Sequence, residues 1–470
     1  MRIEQIYTGC LAQGAYYIES KGEVAIIDPL RETAPYLKRA EKDQAKIKYI
    51  FETHFHADFV SGHVDLAHQS GAKIIYGPGA KTEYNIHEAH DGEIFKLGAV
   101  TIKVLHTPGH TPESSTFLLV DEQGHEHAIF SGDTLFIGDV GRPDLAIRSD
   151  LTKEDLAGLL YDSLRSKIMT LSDRVIVYPA HGAGSACGKN MSSETFDTLG
   201  NQKQTNYALR ADMSKEDFVK EVTTGILPPP QYFAKNAMLN KTGAFDFEQV
   251  LEKGSVALDV ETFESMANHE GALVLDTRSP EQFAAAHIPN SIFIGIDGSF
   301  APWVGALIND LNQPIFFIAP EGREEEVVTR LSRVGYDNTL GYLKGGIEAW
   351  KNAGKETDTV KSIPANQFEE RYATSLTTVL DVRKPSEFEA EHVEGAQNMP
   401  LDFINDNMEG LNRYEKYFLH CLGGYRSMIF ASILKSRGFH NIVDIAGGFR
   451  SISGTNIPRT TFTCQSSGQD

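Results

Sequence analysis

The most informative segment in the N-terminal half of this chain of 470 residues is THFHAD, residues 53–58. It follows a predicted strand, residues 47–51. Because side chains in extended backbone repeat with a period of two, the imidazoles of His54 and His56 point roughly the same way. The two rings can therefore converge on one metal ion.

Three later segments supply the remaining ligands of such a site. Each places a histidine or an aspartate beside glycine or proline at a predicted strand end. Together with THFHAD, these three segments favour a metal site over isolated histidines of the core or the surface. The three residues are His110 in TPGH (107–110), Asp133 in SGDT (131–134) and His181 in PAHG (179–182).

The composition is that of a soluble globular protein, with 41% hydrophobic and 23% charged residues. A chain of this length predicts roughly two to four domains. The net charge of −20 argues against nucleic acid or an anionic membrane as the main partner. We expect neither partner, and we expect the chain to form a homo-oligomer.

Cysteine usage and the N-terminus both favour the cytoplasm. The four cysteines form no CxxC pair, and a chain this large does not need disulfides, which fits a reducing compartment. Residues 1–5 lack the apolar core of a signal sequence, and no apolar run reaches about 18 residues. We therefore expect a cytoplasmic protein.

Residues 1 to about 205 alternate short strands rich in valine and isoleucine with turns, which predicts mixed α/β layers. Helical patterns cover residues 34–43 and 153–170, and Ser214 opens a further capped helix. Three prolines, residues 228–230, then stop regular structure and mark a lid or a linker.

The second half contains an internal repeat. LDTRSPEQF at residues 275–283 matches LDVRKPSEF at residues 380–388. LKGGI at residues 343–347 matches IAGGF at residues 445–449 in the same way. Two copies of about 100 residues are domains rather than solenoid units.

Residues 1 to about 240 resemble the metallo-β-lactamase superfamily, and more narrowly its persulfide dioxygenase branch, a relative of the glyoxalase II thioesterases. The resemblance rests on the histidine and aspartate segments quoted above, and it implies an αββα sandwich. The hydrolytic relatives read HxHxDH and bind two metals. This chain has Phe59 in place of the last histidine, and a phenyl ring cannot ligate.

The resemblance implies one iron(II) ion per chain, held by two histidines and one aspartate. Such a set leaves open positions for O₂ and a sulfur substrate, whereas zinc prefers four ligands and has no redox chemistry. Asp58 can also cap a turn, and a weak second metal could survive on the remaining donors. The implied ligands are His54, His110 and Asp133, and the implied groups that orient ligands and waters are His56, Asp58 and His181.

Two further residues of this region are candidates beside the metal. In similar enzymes an arginine at the position of Arg142 contacts a carboxylate of the thiol carrier, and a guanidinium can make that bidentate contact. Cys187 lies six residues beyond His181, so its thiol can face the iron pocket and receive sulfane sulfur. The alternatives are a surface arginine in an ion pair and a small buried apolar residue.

Residues 262–357 and 362–455 resemble rhodanese (sulfurtransferase) domains. The second copy has an active loop, HCLGGYRS at residues 420–427, between a predicted strand and a predicted helix. The resemblance makes Cys421 the nucleophile, and backbone N–H groups of such a loop stabilise a thiolate or a persulfide. Substrate would bind at Gly423 and Gly424, and the fixed positive charge for thiosulfate or sulfite would be Arg426.

The first copy departs from this pattern in its loop, IAPEGRE at residues 318–324. Ala319 stands at the position of Cys421, and Glu324 stands at the position of Arg426. The nucleophile is absent and the charge of the loop is reversed. We expect this domain to transfer no sulfur and to act as a spacer or a docking domain.

These expectations describe an α/β protein in which a metallo-β-lactamase αββα sandwich precedes two rhodanese-like α/β domains. The predicted boundaries are 1–240, 241–358 and 359–458, followed by a polar tail at 459–470. The iron domain would oxidise a low-molecular-weight thiol persulfide with O₂ to sulfite and free thiol. The terminal domain would pass sulfane sulfur through Cys421 and make or use thiosulfate.

Two other functions stay open at this point. A binuclear thioesterase of the glyoxalase II type predicts two metals per chain and acyl-thiol hydrolysis without O₂. A sulfur-sensing or carrier protein predicts a structural metal and no O₂ uptake. The sequence also leaves the thiol carrier open among glutathione, coenzyme A, bacillithiol and hydrogen polysulfide.

Overall fold

The structure of this chain, a computed structural model, describes residues 1–147, 151–189, 191–226, 228–373 and 378–460. The chain divides into two compact units. The first comprises Met1–Val250 with Thr329–Asp337, and the second comprises Leu251–Val328 with Asn338–Asp470. Residues 461–470 of the predicted tail lie outside the described residues. Within the described ranges, no helix has the length and the apolar character needed to cross a membrane.

The first unit contains two sheets. Their strands are β1 (Arg2–Thr8), β2 (Gln13–Ser20), β3 (Glu23–Ile27), β4 (Lys46–Phe51), β5 (Lys73–Tyr76), β6 (His87–Glu88), β7 (Ile94–Leu97), β8 (Val100–His106), β9 (Ser115–Val120), β10 (Glu126–Gly132), β11 (Ile176–Pro179) and β12 (Asp197–Thr198). One sheet has the order β1-β2-β3-β4-β5-β6. The other has the order β12-β11-β10-β9-β8-β7.

Helices connect these strands and follow them. They are α1 (Ala34–Lys42), α2 (His63–Ser70), α3 (Lys153–Ser163), α4 (Leu199–Thr205), α5 (Lys215–Thr223), α6 (Phe233–Thr242) and α7 (Phe247–Gly254). A capping box at Thr152 opens α3, and the hydroxyl of Ser214 caps α5 as predicted. The helix predicted over residues 153–170 instead ends in a π-helical turn, Leu164–Ile168. The prolines at residues 228–230 fall between α5 and α6, which confirms the predicted stop.

The apolar residues of the first unit form the layers of an αββα sandwich. A central cluster joins the facing sides of the two sheets and includes the buried rings of Tyr16, Phe51, Phe117 and Phe130. A second cluster packs α1 and α2 on the other side of the first sheet. A third packs α3 and α5 on the other side of the second sheet. The fold predicted for this part of the chain is confirmed.

The second unit contains two parallel sheets. Their strands are β13 (Ala257–Leu258), β14 (Leu273–Asp276), β15 (Ile292–Phe293), β16 (Ile315–Ile318), β17 (Thr339–Leu343), β18 (Lys361–Ile363), β19 (Thr378–Asp381), β20 (Gln397–Asn398), β21 (Tyr417–His420) and β22 (Ile442–Ile445). The orders β13-β17-β16-β14-β15 and β18-β22-β21-β19-β20 match strand for strand. This match confirms the internal repeat.

Helices cover these sheets in the same repeated sequence. They are α8 (Val260–His269), α9 (Pro280–Ala285), α10 (Phe300–Leu307), α11 (Glu324–Ser332), α12 (Gly346–Asn352), α13 (Ala365–Tyr372), α14 (Pro385–Ala390), α15 (Ile404–Asn407), α16 (Tyr425–Ser436) and α17 (Gly448–Ile452). Each copy buries its own apolar cluster, so each has the core that a domain requires.

Candidate metal centre and thiol loop

The predicted metal ligands of the first unit all follow strand ends. β4, β8, β10 and β11 end within four residues of His54, His110, Asp133 and His181 respectively. Because β10 and β11 are parallel neighbours, the loops that follow them leave the same edge of the sheet. The topology therefore brings together side chains that lie far apart in the sequence.

Three buried side chains, His54, His110 and Asp133, present ligand atoms that all lie within 4.8 Å of one another. The Nε2 atoms of His110 and His54 lie 3.4 Å and 3.9 Å from the same oxygen, Asp133 Oδ2. The Nδ1–H of His110 donates to the carbonyl oxygen of Arg142 at 2.9 Å. The Nδ1 of His54 lies 3.0 Å from the Thr53 hydroxyl. With Nδ1 engaged on each ring, Nε2 faces the centre.

These three residues fit a divalent metal ion. Among the residues described, Asp133 Oδ2 is buried without a hydrogen-bond partner, a costly state that a cation would relieve. Burial would raise the pKa of Asp133, but His181 and His110 outweigh burial and hold this pKa well below its usual range. Burial lowers the pKa of His54 well below its usual value. Carboxylates and neutral imidazoles are the forms that coordinate metals.

His181 links this centre to Asp58. Its Nδ1 lies 2.8 Å from Asp133 Oδ1 and its Nε2 lies 2.7 Å from Asp58 Oδ2, so both ring nitrogens can donate. Burial opposes a charge on this ring, but the two carboxylates raise the pKa of His181 well above its usual value. Phe59 packs its ring 4.3 Å from the ring of His56 and adds no donor to this pocket.

The structure places Cys187 beside this pair. Its Sγ and the ligand atoms of Asp58 and His181 all lie within 4.8 Å of one another, and the thiol is buried. Burial, followed by the charges of Asp58 and Asp133, raises the pKa of the thiol well above its usual value. The carbonyl oxygen of Cys187 accepts a hydrogen bond from the Arg142 N–H at 3.0 Å, which fixes this segment beside the centre.

His56 contacts a third buried group that the sequence reasoning missed. Its Nε2 lies 3.1 Å from Asp28 Oδ1 and 3.6 Å from Glu52 Oε2. Asp28 also accepts hydrogen bonds at 2.8 Å from the N–H and the hydroxyl of Thr53, which fixes the start of the motif. Burial and the charge of Asp28 raise the pKa of Glu52 well above its usual value. The sequence feature that could have indicated this contact is the position of Asp28 directly after the buried strand β3.

Arg142 is buried and forms a bidentate ion pair within its own loop. Its Nε and Nη2 each donate to one carboxylate oxygen of Asp144 at 2.7 Å. Its Nη1 donates to the carbonyl oxygen of Ala186 at 3.2 Å. Asp144 thus uses the guanidinium fork that was predicted to bind a carboxylate of the thiol carrier. A carrier bound here would have to exchange places with Asp144, and this role of Arg142 stays a prediction.

The Cys421 loop has the predicted form of strand, loop and helix. β21 ends at His420 and α16 begins at Tyr425, so the loop lies at the N-terminus of this helix. The N–H of Gly424 donates to Cys421 Sγ at 3.1 Å, and Gly424 has a φ of +101°, which favours glycine. Gly423 lies beside it in open space. An N–H group and a helix N-terminus next to the sulfur stabilise a sulfur anion.

Arg426, the predicted positive charge of this loop, is paired with an acid. Its Nη1 and Nη2 donate to the two carboxylate oxygens of Glu387 at 2.6 Å and 2.8 Å. The pair holds the guanidinium in one orientation but cancels most of its charge at a distance. An anionic donor at Cys421 would therefore meet a neutralised arginine, and the role of Arg426 as an anion site stays a prediction.

The corresponding loop of the first copy contains no thiol among the residues described. β16 ends at Ile318, Ala319 follows, and α11 begins at Glu324. The guanidinium of Arg323 pairs with Asp297 at 2.6 Å and with a second acid of α11 at 2.7 Å. This loop has no group that could carry sulfur.

Comparison with known proteins assigns both parts of the chain. Residues 8–181 match the Metallo-beta-lactamase superfamily, and residues 259–353 and 364–455 each match the Rhodanese-like domain. The chain is 31% identical over 211 residues to the mitochondrial persulfide dioxygenase ETHE1 of Homo sapiens, a match that covers 44% of this chain and 74% of that protein. It is 29% identical over 220 residues to the hydroxyacylglutathione hydrolase GloC of Haemophilus influenzae, covering 42% of this chain and 98% of that protein.

One solved structure is similar over most of the chain. A crystal structure of a metallo-beta-lactamase from Staphylococcus aureus subsp. aureus COL is 31% identical, with a TM-score of 0.64. The match covers 73% of this chain and 98% of that chain, so it extends well beyond residues 8–181.

Proposed function

This chain belongs to the metallo-beta-lactamase superfamily and carries two rhodanese-like domains, and we propose that it is a persulfide dioxygenase coupled to a sulfurtransferase. The metal would be one iron(II) ion per chain. The substrates would be O₂ and a low-molecular-weight thiol persulfide, and the products would be sulfite and the free thiol. Cys421 would transfer sulfane sulfur in making or using thiosulfate.

The observation that carries the proposal is a buried group of three side chains that could hold a metal ion. Among the residues described, this group is His54, His110 and Asp133. The neighbouring histidines make other contacts: His181 bridges Asp133 to Asp58, and His56 contacts a separate acidic pair. Two histidines and one carboxylate with open positions suit non-haem iron and its oxygenase chemistry.

The residues of the chain prepare the site for that chemistry. Hydrogen bonds at Nδ1 hold the imidazoles of His54 and His110 with Nε2 inward. Burial keeps bulk water away from the ligands. His181 carries a proton between Asp58 and Asp133 and can lend it to an anionic group nearby. When bound, the iron would supply open positions for O₂ and sulfur and a redox-active ion through which the persulfide sulfur reduces O₂.

The thiol loop prepares a different reaction. The thiolate of Cys421 would attack the sulfane sulfur of a donor, a new S–S bond would form, and the donor would leave as a thiolate or as sulfite. The resulting persulfide anion would be stabilised by the Gly424 N–H and by the N-terminus of α16. Attack by sulfite on that persulfide would return the Cys421 thiolate and release thiosulfate.

O₂ uptake by iron-loaded protein on addition of glutathione persulfide tests the proposal. Both atoms of O₂ and one oxygen of water enter sulfite, so one O₂ consumed should give one sulfite and one glutathione. Persulfide that disappears without O₂ uptake would contradict the dioxygenase assignment.

A hydroxyacylglutathione hydrolase is the second candidate function, because the similarity to GloC covers nearly all of that protein. A hydrolase of this kind would use two metals and would need no O₂. Phe59 stands where the HxHxDH pattern of the hydrolytic relatives has a histidine, so one donor to a second metal is lost, which disfavours this activity. Hydrolysis of S-lactoylglutathione under anaerobic conditions would identify this activity directly.

A further inference from the structure

We propose that Tyr425 is a positioning residue of the Cys421 loop, and that the first rhodanese-like domain, which lacks a nucleophile, provides the pocket that holds it. The inference rests on the proposed sulfurtransferase function. Under this proposal the first copy, which has no nucleophile, fixes the geometry of the Cys421 loop in the second copy.

The ring of Tyr425 is held by residues at the end of β15 of the first copy and directly after it. Its hydroxyl donates to the carbonyl oxygen of Gly295 at 2.6 Å. Its ring centroid lies 5.9 Å from that of Phe293 in an edge-to-face arrangement. A Cβ atom at Gly298 would lie 2.4 Å from the Tyr425 ring, so only glycine leaves room for the ring there.

Further along α16, two more side chains join the helix to the first copy. The N–H of Phe293 donates to the hydroxyl of Ser432 at 3.0 Å, and Ser432 is buried. The ammonium of Lys435 pairs with Asp358 at 2.8 Å. The helix is therefore fixed to the first copy near both ends, and Tyr425 is the contact nearest the thiol.

The Cys421 loop has two halves with different supports. The half at Cys421 and Leu422 is held within its own domain, because their carbonyl oxygens accept hydrogen bonds from the N–H groups of Phe449 and Arg450 at 2.7 Å and 3.1 Å. The other half begins at Gly423, where a Cβ atom would meet nothing within 4 Å. The Gly424 carbonyl oxygen accepts hydrogen bonds from Ser427 and Met428 of α16, and Tyr425, the next residue, ties this half of the loop to the first copy.

The link from Tyr425 to the sulfur is direct. Tyr425 follows Gly424 in the chain, and the Gly424 N–H is the group that donates to Cys421 Sγ at 3.1 Å. Gly424 has no side chain that could hold its peptide, and its φ of +101° lies in the region that favours glycine. A displaced Tyr425 would turn this peptide, lengthen the hydrogen bond to sulfur and move the helix N-terminus away from the developing anion.

Gly298→Ala tests the pocket without touching the loop. We expect the rate of alkylation of Cys421 by iodoacetamide near neutral pH, followed on its peptide by mass spectrometry, to fall about tenfold, because the thiolate is the reacting form. Sulfur transfer from thiosulfate to cyanide should fall by a similar factor. Tyr425→Phe keeps the ring and should retain most of both rates, whereas Tyr425→Ala should reproduce Gly298→Ala.

Gly410→Ala is the matched control, because a Cβ atom there would meet nothing within 4 Å, and it should leave both rates unchanged. If Gly298→Ala fails to fold, Tyr425→Ala decides the question alone. Wild-type alkylation and transfer rates in both Gly298→Ala and Tyr425→Ala would overturn the proposal. A wild-type protein that transfers no sulfur would contradict the proposed function. The role of Tyr425 could still be tested by alkylation, because alkylation of Cys421 needs no sulfur substrate.

Discussion

His181 contacts one of the two carboxylate oxygens of Asp133 and leaves the other to the candidate metal ligands. Its Nδ1 lies 2.8 Å from Oδ1, which leaves Oδ2 to face His54 and His110. Its Nε2 contacts Asp58 at 2.7 Å on the other side. A metal-binding carboxylate whose second oxygen accepts a hydrogen bond from a neighbour is held in one orientation. At the scale of single residues, Asp58 therefore acts on the centre through His181.

Asp58→Asn should keep the metal and slow O₂ uptake, by about ten- to a hundredfold as is typical for the outer partners of metal ligands. The amide has the size of the carboxylate but no charge, so His181 loses one of the two groups that hold its proton. Metal content and O₂ uptake, measured on the same sample, check this. Asp65→Asn, at a buried aspartate that accepts from the Phe247 N–H, is the matched control. A metal-free Asp58→Asn protein would instead identify Asp58 as a ligand.

Cys187→Ser should slow the turnover of glutathione persulfide without loss of iron. The serine hydroxyl fits the buried site beside Asp58 and His181 but cannot carry sulfane sulfur. Steady-state O₂ uptake against persulfide concentration is the measurement, with iron content as the control. Unchanged kinetics would return Cys187 to the class of buried structural thiols.

The grouping of His54, His110 and Asp133 could be predicted because all three follow strands, and because His110 and Asp133 also stand beside glycine. The contacts of His56 could not. Its partner Asp28 reaches it through the parallel pairing of β3 with β4, and the spacing of residues within the motif carries no record of that pairing. The partner of Arg142 was missed although it is local, since the competing carboxylate, Asp144, stands only two residues further along the chain.

At the scale of elements, Asp444 on β22 joins its strand to the helix that follows Cys421. Its carboxylate accepts hydrogen bonds from Ser427 on α16 at 2.7 Å and from Ser362 on β18 at 2.8 Å. Burial raises the pKa of Asp444 from 3.8 to about 6, and the two hydrogen bonds offset this only in part. The folded chain thus keeps this proton over a range in which the unfolded chain has released it.

Asp444→Asn should stabilise the protein near neutral pH and much less in acid. As pH rises from about 3.8 to about 6, the unfolded chain loses this proton while the folded chain retains it, so the wild-type stability falls across that window and stays lower above it. The shift corresponds to on the order of 3 kcal/mol. Thermal unfolding of both proteins at about pH 4 and about pH 8 checks the sign. A gain in stability of Asp444→Asn over the wild type that is larger at acid pH than at about pH 8 would contradict this prediction.

The strands could be predicted closely, whereas one helix could not. The predicted strand at residues 47–51 is β4 without its first residue. The predicted helix at residues 153–170 changes its hydrogen bonding after α3. Leu164 and Ile168 in the π-helical turn are buried like the apolar residues of α3, so the apolar pattern continues through the change and does not reveal it.

At the scale of the whole molecule, the candidate metal ligands and Cys421 belong to different compact units. Cys421→Ser should therefore abolish sulfur transfer from thiosulfate and leave O₂ uptake with glutathione persulfide close to the wild-type rate. Serine preserves the loop but is a far weaker nucleophile at neutral pH. Equal losses of both activities would show that the two reactions are obligatorily coupled.

The internal repeat could be predicted from paired motifs, and the matching strand orders confirm it. The grouping of the chain into units could not be predicted in the same way. Thr329–Asp337 groups with the first unit, where the Val60 N–H donates to the Arg333 carbonyl oxygen at 2.7 Å. Such a contact joins residues far apart in the sequence and has no local signature. The predicted domain boundaries remain predictions.

Metal analysis of protein purified without oxygen tests the central claim most directly, with His110→Ala measured beside the wild type. We expect one iron per chain in the wild type, and we expect iron and O₂ uptake to be lost together in the variant. Two zinc ions per chain in the active wild-type protein, or full O₂ uptake by iron-free His110→Ala, would contradict this claim.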